Sequence, residues 1–236
     1  MHSHESNREP IWSLMGVLFQ AHPWHGVPIG EESPERVTVY IEVVPSDTVK
    51  YEMDKASGLL RVDRPQRYSN QCPMPYGLVP QTLCDRRVAQ RCMEVTGRQG
   101  VVGDGDPIDI CVISERVIPH GNLLMTARPI GGLRMIDNGE ADDKLIAVMK
   151  NDPSFGMWQD LSDCPRAFID RLKHYFLTYK QGPNVEKSPC EIAEEYGAEE
   201  ARHMVALAHE DYLETYGHVE DALTAALHRA TLSKRG

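Results

Sequence analysis

The sequence predicts an α+β fold in which short strands come first, as a barrel or a sandwich, and helices follow. Three observations carry this. Alternating, β-branched runs lie at residues 36–44 and 48–53. Three more strand-like runs at 107–113, 123–130 and 144–150 are separated by turn residues rather than by crossover helices, which argues against βαβ units. Beyond residue 160 the apolar period lengthens to that of a helix.

Taken in order, residues 1–35 form an N-terminal extension. Within it IWSLMGVLF places apolar residues at 11, 14, 15 and 18, an amphipathic helix too short to span a bilayer. The preceding Glu5, Arg8 and Glu9 do not make a basic leader. RVTVYIEVV and TVKYEM alternate on either side of the Pro45-Ser46-Asp47 turn, and GLLRVD at 58–63 is a third strand entered through Ser57-Gly58. QCPMPYGLVPQ has too many prolines for long regular structure. Residues 83–103 hold a short helix in their first half. After the strands, SDCPRAFIDRLKHYFLTYK (162–180) sets Ile169, Leu172, Phe176 and Tyr179 on one helical face. A last helix is expected from Ser188 as N-cap, with Pro189 at its first position and Glu191 closing a capping box. No repeat or linker divides the chain, so 1–236 reads as one domain, with 182–236 as a C-terminal helical segment.

Composition narrows the function. With 35 Asp+Glu against 25 Lys+Arg, a formal charge of -10 offers no footprint for nucleic acid or an anionic membrane. It leaves anionic substrates open, because bound cations invert a local field. The six cysteines include no C-x-x-C and no zinc-finger spacing, and Cys111 sits in an apolar strand as a small hydrophobe. A disulfide framework is therefore not expected, and the protein reads as cytoplasmic. His22 and His25, like His2 and His4, are expected to pack or be solvated rather than to hold a metal.

The chemistry gathers in VVGDGDPIDICVI. Asp104, Asp106 and Asp109 crowd the entrance of an apolar strand, where like charges repel and lose hydration. In an extended segment Asp104 and Asp106 share a face, while Pro107 governs Asp109. A second acidic cluster, IDNGEADDK, supplies Asp137, Glu140, Asp142 and Asp143 ahead of Lys144. Either cluster is a solvated turn or a seat for a hard divalent cation. A calcium loop is excluded, because its sixth position requires Gly and holds Asp109. Lys50, Arg64, Lys144 and Lys180, interleaved with Glu42 and Glu52, move the balance toward phosphate chemistry. No P-loop, G-x-S-x-G or dinucleotide fingerprint competes.

DGDPIDICVI resembles the signature of the soluble inorganic pyrophosphatases of the first family. IEVVPSDTVKYEMDKASGLLRVDR is similar to that family's opening strands, CPMPYG to its turn, GGLRMIDNGEADDKLIAV to its second acidic cluster and HYFLTYK to its closing helix. The five stretches occur in order over residues 36–181, with 83–103 as an insertion. The resemblance implies a small, mostly antiparallel OB-like barrel carrying helices, which hydrolyses pyrophosphate with several Mg2+ ions, or Mn2+ or Zn2+ in their place. Carried over by position, Asp104, Asp109 and Asp142 are implied ligands of a first metal, with Asp109 shared by a second. A water between the two is the implied nucleophile and Asp106 its base. Asp137 and Asp142 are implied ligands of substrate-associated metals, with Glu42 and Glu52 close by or acting through water. Lys50, Arg64, Tyr76, Lys144, Tyr179 and Lys180 are implied to hold phosphate oxygens. The family also implies a homo-oligomer, hexamer or dimer.

One departure stands out: Cys72 occupies the place of a family Tyr, and Tyr68 would replace it only if its loop bent back. Two other readings compete. A non-catalytic metal-binding barrel would suit a chain that had lost Asp106 or Lys144, and both are present. The second is hydrolysis of a different phosphoanhydride, a nucleotide or polyphosphate.

Overall fold

A computed structural model describes residues 21–182 and 190–232, with side chains of the last helix described to residue 218. The expected amphipathic helix near residue 15 and the Ser188 cap lie outside the described residues. The strands are β1 (Val37–Val43), β2 (Val49–Met53), β3 (Leu60–Pro65), β4 (Tyr76–Leu78), β5 (Val102–Gly103), β6 (Asp109–Ile113), β7 (Leu123–Asp137), β8 (Glu140–Ala141), β9 (Lys144–Met149) and β10 (Cys190–Gly197). The helices are α1 (Arg86–Thr96), α2 (Arg166–Thr178) and α3 (Ala198–Leu232).

β2 and β3 form a separate antiparallel hairpin, and the other strands make one mixed sheet. Its order is β1-β4-β6-β9-β7-β8-β5, with β10 added to β7 and β1 also paired with β7. Most pairings are antiparallel, but β6 runs parallel to β9 and β5 to β8. The sequence of β6 and β9 explains the parallel pair. Ile-Cys-Val-Ile and Leu-Ile-Ala-Val are unbroken apolar runs, as befits strands covered on both faces. Ile110, Val112, Leu145 and Ala147 join a core with Val88 and Cys92 of α1 and Ala201, Met204 and Val205 of α3. Cys111, Ile113, Ile146 and Val148 pack the opposite way, with Ile169, Leu172 and Phe176 of α2. The four residues assigned to the inner face of α2 are all buried, Tyr179 just past its end included.

The expected helix from 188 needs correction: Cys190–Gly197 is a strand, and the helix starts at Ala198. CEIAEEYG satisfies either period over so short a run, and the available edge of β7 decides. Gly131 and Gly132 make that pairing possible. A Cβ on Gly131 would lie 2.4 Å from the Tyr196 carbonyl oxygen, and one on Gly132 would lie 2.5 Å from the Tyr196 ring. The segment 182–236 is thus not purely helical. The short helix foreseen in 83–103 is α1, closed by Gly97 at φ 70°. β7 continues past residue 130, slipping register against β9 between Pro129, which has no N–H to give, and Gly131.

The six cysteines are buried thiols. His22 and His25 pack as expected: their rings lie 4.8 Å apart, and His25 stacks on Trp24. The Trp24 indole N–H donates to the Thr82 carbonyl at 2.7 Å, and its ring meets Tyr212 and Tyr216 of α3. No helix of the described residues is long and apolar enough to cross a membrane.

Candidate active site

The two acidic clusters face one another across a cavity of about 180 Å³. Each wall follows from a local rule of backbone geometry. β1 slips register against β4 between Ile41 and Val43, so Glu42 is the extra residue of a bulge and turns into the cavity. It is buried, accepts the Met53 N–H at 2.6 Å, and burial followed by nearby carboxylates raises its pKa to about 8.

The aspartate loop between β5 and β6 turns rather than extends. Gly105 takes φ 71°, and the Asp106 N–H donates to Asp104 Oδ1 at 2.9 Å. Cys84 clamps the loop twice, accepting from the Gly105 N–H at 3.0 Å and donating to the Asp106 carbonyl at 2.7 Å. A Cβ on Gly103 would lie 2.3 Å from the Cys84 oxygen, so only Gly fits there. Asp104 and Asp106 therefore share the cavity, as expected, through a turn instead of strand alternation. Burial first, and then the Asp142 carboxylate, push Asp104 up to about 8.

Asp109 opens β6 directly beside Lys144, its register partner on parallel β9. Lys144 is buried and its ammonium bridges Asp109 and Asp142. Burial opposes its charge, but the two carboxylates outweigh that and hold its pKa well above normal. Asp137 closes β7 and pairs with Lys180, and Lys55 pairs with Asp106. Lys50 lies 3.6 Å from Glu52 and 3.4 Å from Asp63. Burial raises the pKa of Tyr76 and Tyr179, so both phenols stay protonated donors.

Twelve of the thirteen residues to which the family resemblance gives a role line this one cavity: Glu42, Lys50, Glu52, Tyr76, Asp104, Asp106, Asp109, Asp137, Asp142, Lys144, Tyr179 and Lys180. Arg64 does not line it. Its guanidinium lies over the Tyr179 ring, 5.5 Å from the centroid. Lys55 and Glu140 line the cavity too. Lys55 could have been found at the end of the KYEMDK run, two residues past the strand that carries Lys50. Cys72 points away into the core under Tyr175, its thiol pushed up to about 12 by burial, and Tyr68 is 73% exposed. Neither replaces the family tyrosine.

Eight carboxylates meet four lysines in this space. The excess of negative charge would repel an anionic substrate, and the donors are the hard oxygens that divalent cations prefer. As the side chains stand, no three Asp, Glu, His or Cys groups among the described residues converge on one point, and Lys144 fills the gap between Asp109 and Asp142. The donor set fits a hard cation once that ammonium shifts toward a substrate.

Comparison with known proteins agrees. The family model described as Inorganic pyrophosphatase matches residues 39–213. The inorganic pyrophosphatase of Chlamydia caviae is 50% identical over 214 residues, covering 89% of this chain and 96% of its own. The soluble inorganic pyrophosphatase of Zea mays is 37% identical over 180 residues, 76% of this chain and 75% of its own. The crystal structure of the Thermus thermophilus inorganic pyrophosphatase superposes with a TM-score of 0.68 at 27% identity, covering 81% of this chain and 99% of that one. A cavity built from both acidic clusters, on a chain matched over most of its length, leaves one conclusion: this chain belongs to the inorganic pyrophosphatase family and is an inorganic diphosphatase.

Proposed function

We propose that this chain hydrolyses pyrophosphate to two phosphates with divalent ions, Mg2+ first among them, held by Asp104, Asp109, Asp137 and Asp142. Glu42 and Glu52 would help to hold them, directly or through water. The carrying observation is the single cavity in which carboxylates outnumber lysines two to one. Bound ions would supply what no side chain here can, lowering the pKa of a water bridging two of them from 15.7 toward about 7 and screening the substrate's charge.

The protein's own groups do the rest. Asp106 sits at the loop tip as the proton acceptor, paired with Lys55. Lys50, Lys144 and Lys180 are positioned to exchange carboxylate partners for phosphate oxygens. Protonated Tyr76 and Tyr179 donate hydrogen bonds, and Arg64 supports the Tyr179 ring by lying over its face. Leaving-group charge is thus met by fixed cations. Mn2+ and Zn2+ are the candidate substitutes for Mg2+.

The pairing of β1 with both β4 and β7 supports reading the sheet as a small OB-like barrel within one domain, decorated by the 83–103 insertion. A cytoplasmic homo-oligomer, hexamer or dimer, completes the proposal.

Phosphate release from pyrophosphate is the test. Wild type with Mg2+ should release phosphate, EDTA should abolish the release, and Asp106→Asn should lower kcat by about 10²–10⁴-fold, the range of a lost general base. ATP and tripolyphosphate run alongside should be poorer substrates. Equal turnover of ATP, or an unimpaired Asp106→Asn, would refute the assignment.

A further inference from the structure

We infer that Asp143 and Tyr196, through Arg134 and Glu200, are positioning residues for the neighbouring Asp142 and Lys144, and that α1 is coupled to the reaction through Arg91. The inference rests on the proposed role of Asp142 and Lys144 in the cavity.

Asp142 and Asp143 form the two-residue link between β8 and β9, and they face opposite ways. Asp142 enters the cavity, whereas Asp143 is 1% exposed on the other side. There the Tyr196 hydroxyl donates to Asp143 Oδ2 at 2.9 Å. Arg134, with a fully buried side chain, stacks on the Tyr196 ring at 5.0 Å and brings Nε to 3.9 Å from Asp143. It also pairs with Glu200 in the first turn of α3. Glu200 in turn takes both arms of Arg91 from α1, at 2.9 Å from Nε and 2.7 Å from Nη2. A contiguous chain of charged and hydroxyl groups thus runs from the insertion helix to the back of the acidic link.

Such a cluster is an expensive way to fill a core. Apolar residues of similar volume usually stabilise more than buried ion pairs, which have a better attested role in fixing a single arrangement. The arrangement fixed here is consequential. Asp142 has one backbone anchor across the sheet, its N–H to the Met135 carbonyl at 3.0 Å, and its carboxylate is paired with Lys144 of the same segment, so the two move together with the link. Holding Asp143 from behind sets the direction in which Asp142 and Lys144 leave the chain. Groups that orient a metal ligand in this way typically govern affinity and rate by about 10–100-fold.

The decisive variant is Tyr196→Phe, which keeps the ring against Gly132 and Arg134 and removes only the hydroxyl. Asp143→Asn, Arg91→Gln and, as a control on the same helix, Arg86→Gln complete the set. Arg86 pairs at the surface with Glu214. Two quantities are read: kcat and KM for pyrophosphate, and Mg2+ affinity by calorimetry without substrate. In Tyr196→Phe, kcat and Mg2+ affinity should each fall about tenfold, with KM changing far less. Arg91→Gln should show a smaller loss in the same two quantities, and Arg86→Gln none. A Tyr196→Phe protein that melts earlier but keeps wild-type kcat and Mg2+ affinity would overturn the inference, since the network would then be structural only. Wild type that neither binds Mg2+ nor hydrolyses pyrophosphate would remove the underlying reading, and this inference with it.

Discussion

Glu42 shows how much a single residue has to reconcile. It is an acid in an apolar strand, turned by a bulge into a cavity crowded with other acids. With its pKa raised to about 8, the folded protein holds a proton that the unfolded chain would release at the ordinary value of 4.5. The sign follows: this group's contribution is whole below about pH 4.5 and is lost as pH climbs toward 8. Asp104, also raised to about 8, acts in the same direction from its ordinary 3.8. Glu42→Gln keeps an acceptor for the Met53 N–H and removes the titration. In EDTA its Tm should exceed wild type at pH 9 and match it near pH 5, by about 2–4 °C for each kcal/mol relieved. Melting curves across pH test this, and a constant offset between the two proteins would exclude the titration as its cause. The surface carboxylate Glu195 runs the opposite way. Arg166 and Lys173 depress it to about 2, so its contribution is whole above about pH 4.5 and fades as pH falls toward 2.

Among the elements, β10 is the instructive one, because the sequence misplaced it. Glu191 through Tyr196 fit a helix by propensity, and only the exposed edge of β7 makes them a strand. That edge is usable because residues 131 and 132 lack side chains. Gly131→Ala should cost about 1–3 kcal/mol as an overpacking change, since the Tyr196 backbone oxygen in its way cannot rotate aside. Hydrogen exchange at 190–197 should accelerate in that variant, and unchanged protection there would mean that the contact is more compliant than the geometry implies. Elsewhere the sequence was readable for physical reasons. β6 and β9 are uninterrupted apolar runs, α2 repeats at helical spacing, and the aspartate loop is spelled by residue type alone. The cavity's acids were legible because like charges so close in sequence need an outside explanation. The pairings of Lys55 with Asp106 and of Asp143 with Tyr196 were not, because the partners are 51 and 53 residues apart and no local pattern encodes such contacts.

At the scale of the molecule, one cavity sets eight carboxylates against four lysines in a chain of net charge -10. Bound cations should therefore stabilise the whole fold. Mg2+ at 100 times its dissociation constant should add about 2.7 kcal/mol, visible as a rise in Tm that EDTA reverses. A Tm indifferent to Mg2+ would mean that the carboxylates do not hold the ion. The extension and the C-terminal helix belong to this scale too, since Trp24, Tyr212 and Tyr216 lock residues near the start of the described chain to α3. The pairing of Asp137 with Lys180 has a temporal consequence. Synthesis proceeds at about 5–20 residues per second, so Asp104 leaves the ribosome's active centre some seconds before Lys180 is made. During that interval the nascent chain carries its acids without the last lysine that offsets them. The acid-rich pocket cannot close with its full set of counter-charges until Lys180, the last of its lining residues in the chain, has been made.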